Sequence, residues 1–291
     1  MMRAAQARGH TVFACEQADL FWRKKSVLGR ATRLSLADND EDWYRAHETA
    51  ERPLFEFDAV LMRKDPPFDM EYVASTWLLS EAERQGASVF NAPRALRDHN
   101  EKYAIAEFSE FTVPSLVARA MEDLQGFIEE HRDVVLKRLD GMGGAGIFRV
   151  RADDPNRNVI VETISALGTR SVMAQRYIPE ISQGDKRVLL IDGKIVPHCL
   201  ARIPKPGESR GNLAAGARGE AQPVTHRHRE IAAALGPKLA ERGLLLVGLD
   251  VIGDWLTEVN VTSPTCFREI HDQTGFDVAG MFVAALESKI S

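Results

Sequence analysis

Cysteine is scarce in this chain: 291 residues hold three, Cys15, Cys199 and Cys266, far apart and odd in number. That argues against a disulfide framework and for the reduced thiols of a cytoplasmic protein. No cysteine–histidine spacing suits zinc. Long apolar runs are missing too. None approaches the roughly 20 residues that cross a bilayer, so no membrane partner is expected. Met1 to His10 lacks the apolar core of a signal peptide. There is no basic tract and no basic stripe studded with aromatics, and the net charge is −5, so no nucleic acid partner is expected either. Walker A and G-x-S-x-G sequences are absent, and Cys266 has no histidine at a diagnostic spacing, which argues against a covalent nucleophile. His226 and His228, at a helix start with no cysteine or carboxylate nearby, read as solvated. No internal repeat and no low-complexity segment is present.

What remains is a globular composition, 44% hydrophobic and 27% charged, with length for two or three subdomains. The first hundred residues alternate helix and strand. Met1 to Gly9 reads as the end of a helix, His10 to Cys15, Phe57 to Arg63 and Ala87 to Asn91 as strands, and Met70 to Gln85 as an amphipathic helix. This βαβ rhythm predicts a parallel sheet with crossover helices. A doubly wound domain opens with a strand, whereas this chain opens inside a helix. From Asn100 the pattern changes. Glu101 to Phe108 and Met121 to His131 read as helices, and Val134 to Lys137 and Ile147 to Arg151 as strands flanking a glycine cluster. Val172 to Ile178 reads as a strand. Lys186 to Ile191 and Lys194 to Ile203 form a hairpin about Asp192-Gly193. Pro204 to Gly219 is a long, glycine-rich loop, His226 to Arg242 is a helix with Ile231, Leu235 and Leu239 on one face, and a last helix spans Val278 to Lys289.

The strongest chemical signal is Gly248-Leu249-Asp250-Val251-Ile252 followed by Thr257-Glu258-Val259-Asn260-Val261-Thr262. Alternation puts Glu258 and Asn260 on one face of a strand. Two carboxylates and an amide facing one way suit Mg²⁺, which shares oxygen ligands with substrate phosphates; the alternative is a hairpin with a solvated polar face. The register discriminates. A two-residue turn at Gly253-Asp254 would pair Asp250 with Thr257 and send Glu258 to the other face. A three-residue loop, Gly253 to Trp255, sets Asp250 opposite Glu258, so a shared metal site predicts the longer loop.

Gly141-Met142-Gly143-Gly144-Ala145-Gly146 matches G-x-G-x-x-G, yet a strand follows it where the dinucleotide fingerprint needs a helix. A glycine-rich loop between antiparallel strands is either a flexible tip or a flap over phosphates, where backbone amides approach closely. Lys137, behind the apolar run Val134-Val135-Leu136, needs a partner for its charge and suits a phosphate; Lys102 by itself reads as a surface lysine. Arg187 and Arg202 lie on the two strands of one hairpin and Arg210 lies with Asn212 in the long loop, which is either a linker or a lid closing over substrate. Arg63, at the end of a strand, stands where open α/β sheets bind ligands.

Four segments in order, Met62-Arg63-Lys64-Asp65-Pro66-Pro67-Phe68, Asp140 to Gly144, Arg210-Gly211-Asn212-Leu213-Ala214-Ala215-Gly216 and Glu258 to Thr265, closely resemble bacterial glutathione synthetase over nearly the whole chain. The resemblance implies an α/β (α+β) ATP-grasp fold: a pre-ATP-grasp doubly wound α/β domain over 1–99, lacking its first strand, a small ATP-grasp subdomain over 100–178, and a large one over 179–291 with the 204–219 lid. It implies ATP and Mg²⁺, with Mn²⁺ as a substitute ion, a cytoplasmic homotetramer, and γ-glutamylcysteine and glycine as substrates joined through an acyl phosphate. Lys102, Lys137 and Arg187 would hold phosphates, under a flap of Gly141, Met142, Gly143 and Gly144. Gln175, Arg176, Tyr177 and Ile178 would line the adenine pocket. Asp250, Glu258 and Asn260 would hold Mg²⁺. Arg202, Arg210 and Asn212 would face the reacting centre, and Arg63 with Val261, Thr262, Ser263 and Pro264 the dipeptide. A strand and loop about 20 residues before Met1 belong to the family's pattern, and Arg138 and Ala217 replace its usual proline and glycine. The alternatives are another ATP-grasp carboxylate–amine ligase, of the D-alanine–D-alanine type, and a truncated protein that binds nucleotide without turnover.

Overall fold

The computed structural model describes residues 1–141, 144, 146–205, 211, 213 and 216–290. Met142, Gly143, Arg210 and Asn212 lie outside the described residues, as does half of the expected lid.

The chain enters through helix α1 (Met2–Ala7) and strands β1 (Val12–Ala14), β2 (Leu20–Arg23), β3 (Ser26–Leu36) and β4 (Tyr44–Pro53). Here the structure departs from the expected rhythm: the strand near residue 12 forms, but antiparallel to β3, in a sheet where β3 also pairs β2 and β4. The residues between 20 and 53 alternate polar and apolar weakly, because the first eight residues of β4 are exposed on both faces, so no period-2 pattern marks them. The βαβ unit itself follows. Strands β5 (Val60–Leu61) and β6 (Val89–Phe90) pair in parallel and α2 (Met70–Arg84) crosses between them. Asp69 caps α2 by accepting from the Tyr72 N–H at 2.9 Å, and Tyr72, Ser75, Thr76, Leu79 and Ala82 make its buried stripe.

After α3 (Pro93–Asp98) the segment expected as a helix from Glu101 is a 3₁₀ stretch, Tyr103–Phe111, kinked at Phe108. Then β7 (Ser115–Ala118), α4 (Met121–His131), β8 (Asp133–Arg138), β9 (Ile147–Arg151), α5 (Arg157–Ser165) and β10 (Val172–Arg176) build an antiparallel sheet in the order β7-β10-β8-β9. Leu124, Ile128, Val134, Leu136, Val150, Val161 and Val172 fill its core.

The larger sheet comprises β11 (Asp185–Ile191), β12 (Lys194–Ile195), β13 (His198–Ile203), β14 (Arg218–Pro223), β15 (Leu246–Ile252) and β16 (Trp255–Asn260), in the order β14-β13-β11-β15-β16 with β12 on β11. Helix α6 (His226–Glu241) precedes β15, and α7 (Phe267–Thr274) and α8 (Val278–Ile290) close the described chain. Ile231, Leu235 and Leu239 of α6 are fully buried, as their spacing predicts. The Asp192-Gly193 turn joins Ile191 to Lys194 with both turn residues at positive φ, the geometry of a type I′ turn. It packs so closely on α6 that a Cβ added to Gly236 would meet the Gly193 carbonyl oxygen at 2.3 Å.

Candidate active site

One face of the large sheet carries a row of charges, and strand register explains it. Asp185 and Arg187 share a face of β11 because they are two residues apart. Arg202 on β13 pairs with Asp185, Asp250 on β15 pairs with Arg187, and Glu258 on β16 pairs with Asp250. Asn260 continues the row beyond Glu258, opposite Gly248. Gly248 is required there: a Cβ would sit 2.8 Å from Cδ of Arg187, which lies across it.

The Asp250–Glu258 pairing is the one a shared site needs, but the turn is not the one expected. The loop is the two-residue Gly253-Asp254, with Ile252 opposite Trp255. A bulge between Asp250 and Val251, opposite Leu256 and Glu258, then absorbs Thr257 and restores the register. The Thr257 hydroxyl donates to the Asp250 carbonyl at 3.1 Å and ties the bulge down. Turn length and bulge are independent ways of shifting register, and only the first is visible as a glycine-bearing pair in the sequence.

Within this row Asp250 is saturated. Arg187 donates to its two oxygens at 2.6 and 3.1 Å, and Nη2 of Arg202 lies 2.8 Å from Oδ2. Burial alone would raise the Asp250 carboxyl; the two guanidinium groups hold it well below the usual carboxylate range. Arg202 also reaches Asp185 Oδ2 at 2.5 Å. Asp185 is pushed up to about 6 by burial, against the pull of Arg202. Its Oδ1 and the Nε of Arg202 are buried with no hydrogen-bond partner among the described residues.

Glu258 is the open carboxylate. Nζ of Lys137 lies 3.7 Å and Nζ of Lys102 3.8 Å from its Oε1, too long for hydrogen bonds and short enough for strong attraction. Lys102 is therefore no surface lysine: it is 5% exposed, and it donates to the Gly141 carbonyl at 2.7 Å, at the root of the glycine loop. Burial pulls the Lys137 ammonium below its ordinary value, with Glu258 working against that shift. Two lysines from separate segments thus converge on one carboxylate. Among the described residues no three His, Cys, Asp or Glu side chains group as a metal site. The donors that do fit Mg²⁺ are the Glu258 carboxylate and the Asn260 amide oxygen, whose Nδ2 is turned away to the Gly248 carbonyl at 3.2 Å; Asp250 would have to loosen a guanidinium contact to join them.

At the end of β10, Gln175 is buried and donates to Ser115 Oγ at 3.2 Å, and the N–H groups of Arg176 and Tyr177 bond to Pro114 and Asp133 carbonyls. Arg149 lies over the Tyr177 ring, 3.5 Å from its centroid. The N–H of Ile178 has no acceptor among the described residues. Beyond β16 the turn 261–264 is held from several sides. Arg63, whose guanidinium burial pulls down to about 10, donates to the Pro264 carbonyl at 2.8 Å, Ser263 donates to Asp65, and Asn91 donates to the Val261 carbonyl at 2.8 Å. Glu101 accepts from the N–H groups of Val261 and Thr262, both at 2.9 Å.

Asp185, Asn91 and Glu101 were not expected from the sequence. Asp185 had a signal, its i, i+2 relation to Arg187; Asn91 and Glu101 had none beyond being polar at element ends. His228 corrects the solvated reading: it is 3% exposed, and its Nδ1 accepts from the Thr225 N–H at 3.2 Å to complete the cap of α6. Burial pulls its imidazole down to about 4.

Comparison with known proteins gives the family and the fold. The family model for the prokaryotic glutathione synthetase ATP-grasp domain matches residues 101–275, and that for the prokaryotic glutathione synthetase N-terminal domain matches residues 1–97. The chain is 61% identical over 287 residues to a glutathione synthetase of Ralstonia nicotianae, covering 99% of this chain and 89% of that protein. It is 58% identical over 294 residues to a glutathione synthetase of Nitrosomonas europaea, covering 100% and 92%. Among solved structures it resembles the D-cycloserine synthetase DcsG, with a TM-score of 0.65 and 17% identity over 82% of this chain and 86% of that one. It also resembles the ATP-grasp ligase PsnB complexed with minimal precursor, Mg and ADP, with a TM-score of 0.61 and 20% identity over 99% and 92%. The family model and the likeness to PsnB together establish the ATP-grasp fold.

Proposed function

The chain belongs to the prokaryotic glutathione synthetase family, and on that premise we propose that it is an ATP-dependent ligase joining γ-glutamylcysteine to glycine. The observation that carries the chemistry is the convergence of Lys102 and Lys137 on Glu258, beneath the root of the glycine loop. The cysteinyl carboxylate attacks the γ-phosphorus of ATP and ADP leaves; the glycine nitrogen then attacks the acyl carbon, phosphate leaves and the nitrogen loses its proton. The protein's task is placement and charge. Lys102 and Lys137 neutralise phosphate oxygens, and the flap of residues 141–144 covers them. The free Ile178 N–H, with the backbone of residues 175–177, meets the adenine edge. Arg187 and Arg202, already fixed by Asp250 and Asp185, stand ready to stabilise charge on the transferring group, with Arg210 and Asn212 from the lid. Arg63 and the turn 261–264 receive the dipeptide. Glu258 and Asn260, with Asp250 beside them, would hold Mg²⁺, which supplies charge stabilisation between the phosphates; Mn²⁺ has the same ligand preference. We place the enzyme in the cytoplasm as a homotetramer.

Phosphate release from Mg-ATP tests this reading. Release that requires both γ-glutamylcysteine and glycine is the expected result. Release driven by D-alanine, or with no dependence on the dipeptide, would overturn it.

A further inference from the structure

β16 is one of the two edge strands of the large sheet, and a sheet edge leaves backbone N–H groups without a strand partner. Here one residue takes them. The backbone carbonyl of Glu101 accepts from the Val259 N–H at 2.8 Å. Its Oε1 accepts from the Val261 N–H and Thr262 N–H, both at 2.9 Å, and from the Thr262 hydroxyl at 2.8 Å. Four donors from three residues, one just before Asn260 and two just after it, therefore end on Glu101. The next residue, Lys102, turns to the other side of the same strand and reaches Glu258.

Resting on the reading given under Proposed function, we infer that Glu101 is a positioning residue: it sets the turn 261–264 against the dipeptide while its neighbour Lys102 serves the nucleotide. The charge of Glu101 suits this work. A carboxylate oxygen accepts several N–H and O–H donors at once, more strongly than a neutral acceptor does. Without it, three donors of the turn lose their acceptor, and among the described residues the turn keeps only the hydrogen bonds of Asn91, Arg63 and Asp65 on its far side. Those three hold the carbonyls of Val261 and Pro264 and the Ser263 hydroxyl; none of them holds Asn260 or its neighbouring N–H groups. The turn would remain attached but free to rock. A shift of about 1 Å in a substrate-positioning element costs roughly 100-fold in rate.

The test is the separation of kinetic constants in Glu101→Ala and Glu101→Gln. Glu101→Ala is expected to lower kcat/KM for γ-glutamylcysteine roughly 10- to 100-fold, with the KM for ATP within about twofold of wild type. Glu101→Gln, which keeps an oxygen in place and loses the charge, is expected to recover most of that loss, and it serves as the reference should the alanine variant fold poorly. Equal rises in the KM for ATP and for the dipeptide would overturn the inference, because a general loosening of the cleft would then explain the effect. So would two variants with wild-type constants. If wild type itself shows no dipeptide-dependent phosphate release, the proposed substrate falls and this role with it; if wild type turns over and the variants match it, only the role of Glu101 falls.

Discussion

Glu258 is open on the side where Asp250 is closed, and this difference between two paired carboxylates decides what each substitution does. Glu258→Ala removes an oxygen donor and the charge facing two lysines, without leaving a buried acceptor unpaired. Turnover is expected to fall by about 3–4 kcal/mol of transition-state stabilisation, two to three orders of magnitude, with thermal unfolding close to wild type; a phosphate-release assay and a melting curve together check this. Arg202→Ala is expected to do both kinds of harm. It strips Asp185 and one side of Asp250 of their partner, and breaking a buried charge pair costs about 3–5 kcal/mol, readable as a lower urea midpoint. His228 gives the protein an acid sensitivity of its own. Its folded value, about 4, lies below the ordinary one near 6.5, so the unfolded chain binds the proton first. Stability is full above that ordinary value and is lost as pH falls from about 6.5 to 4. Protonation also removes the acceptor for Thr225 N–H. His228→Gln is expected to flatten the stability–pH curve in that window, and an unchanged slope would show that other groups set it.

At the scale of elements, legibility followed the strength of the local pattern. Helices α2 and α6 show in the sequence because of their apolar spacing, and the structure adds the Asp69 and Thr225 caps that begin them. The β11–β12 turn shows because Asp-Gly admits positive φ. The antiparallel sheet of β1 to β4 does not show, because β4 is exposed on both faces and carries no alternation. The β15–β16 hairpin lies between these cases: the pairing of Asp250 with Glu258 is legible and its turn length is not, since the bulge at Thr257 leaves no compositional mark. The site therefore depends on a count of residues. Deleting Thr257 would only remove the bulge and keep Asp250 opposite Glu258. One residue inserted between Thr257 and Glu258 is instead expected to bring Glu258 opposite Leu249, on the other face, abolishing turnover while the hairpin survives by circular dichroism. Packing between elements is equally exacting. Gly236→Ala would drive a methyl group into the Gly193 carbonyl, and α6 has to move off the β11–β12 turn, at a cost of about 1–3 kcal/mol in denaturant unfolding.

For the molecule as a whole, a nucleotide gripped between two sheets is a stabiliser. Mg-ATP at 100 times its Kd is expected to add about 2.7 kcal/mol, seen as a raised melting temperature; EDTA should erase most of the rise, and a shift indifferent to EDTA would argue against the metal at Glu258 and Asn260. Light scattering should return four times the chain mass. Among the described residues no helix is long and apolar enough to cross a membrane. The turn 261–264 adds a consequence in time. Its partners precede it by wide intervals: Glu101 by 160 residues, Asn91 by 170 and Arg63 by 201. At the usual pace of translation such intervals take roughly 10 s or more. For that interval the buried amide of Asn91 and the carboxylate of Glu101 wait without the groups they are made to hold. The proposed dipeptide pocket is thus among the last parts of the protein able to form, and a nascent chain halted before Val261 would hold the lysines proposed for the nucleotide with nothing to present to it.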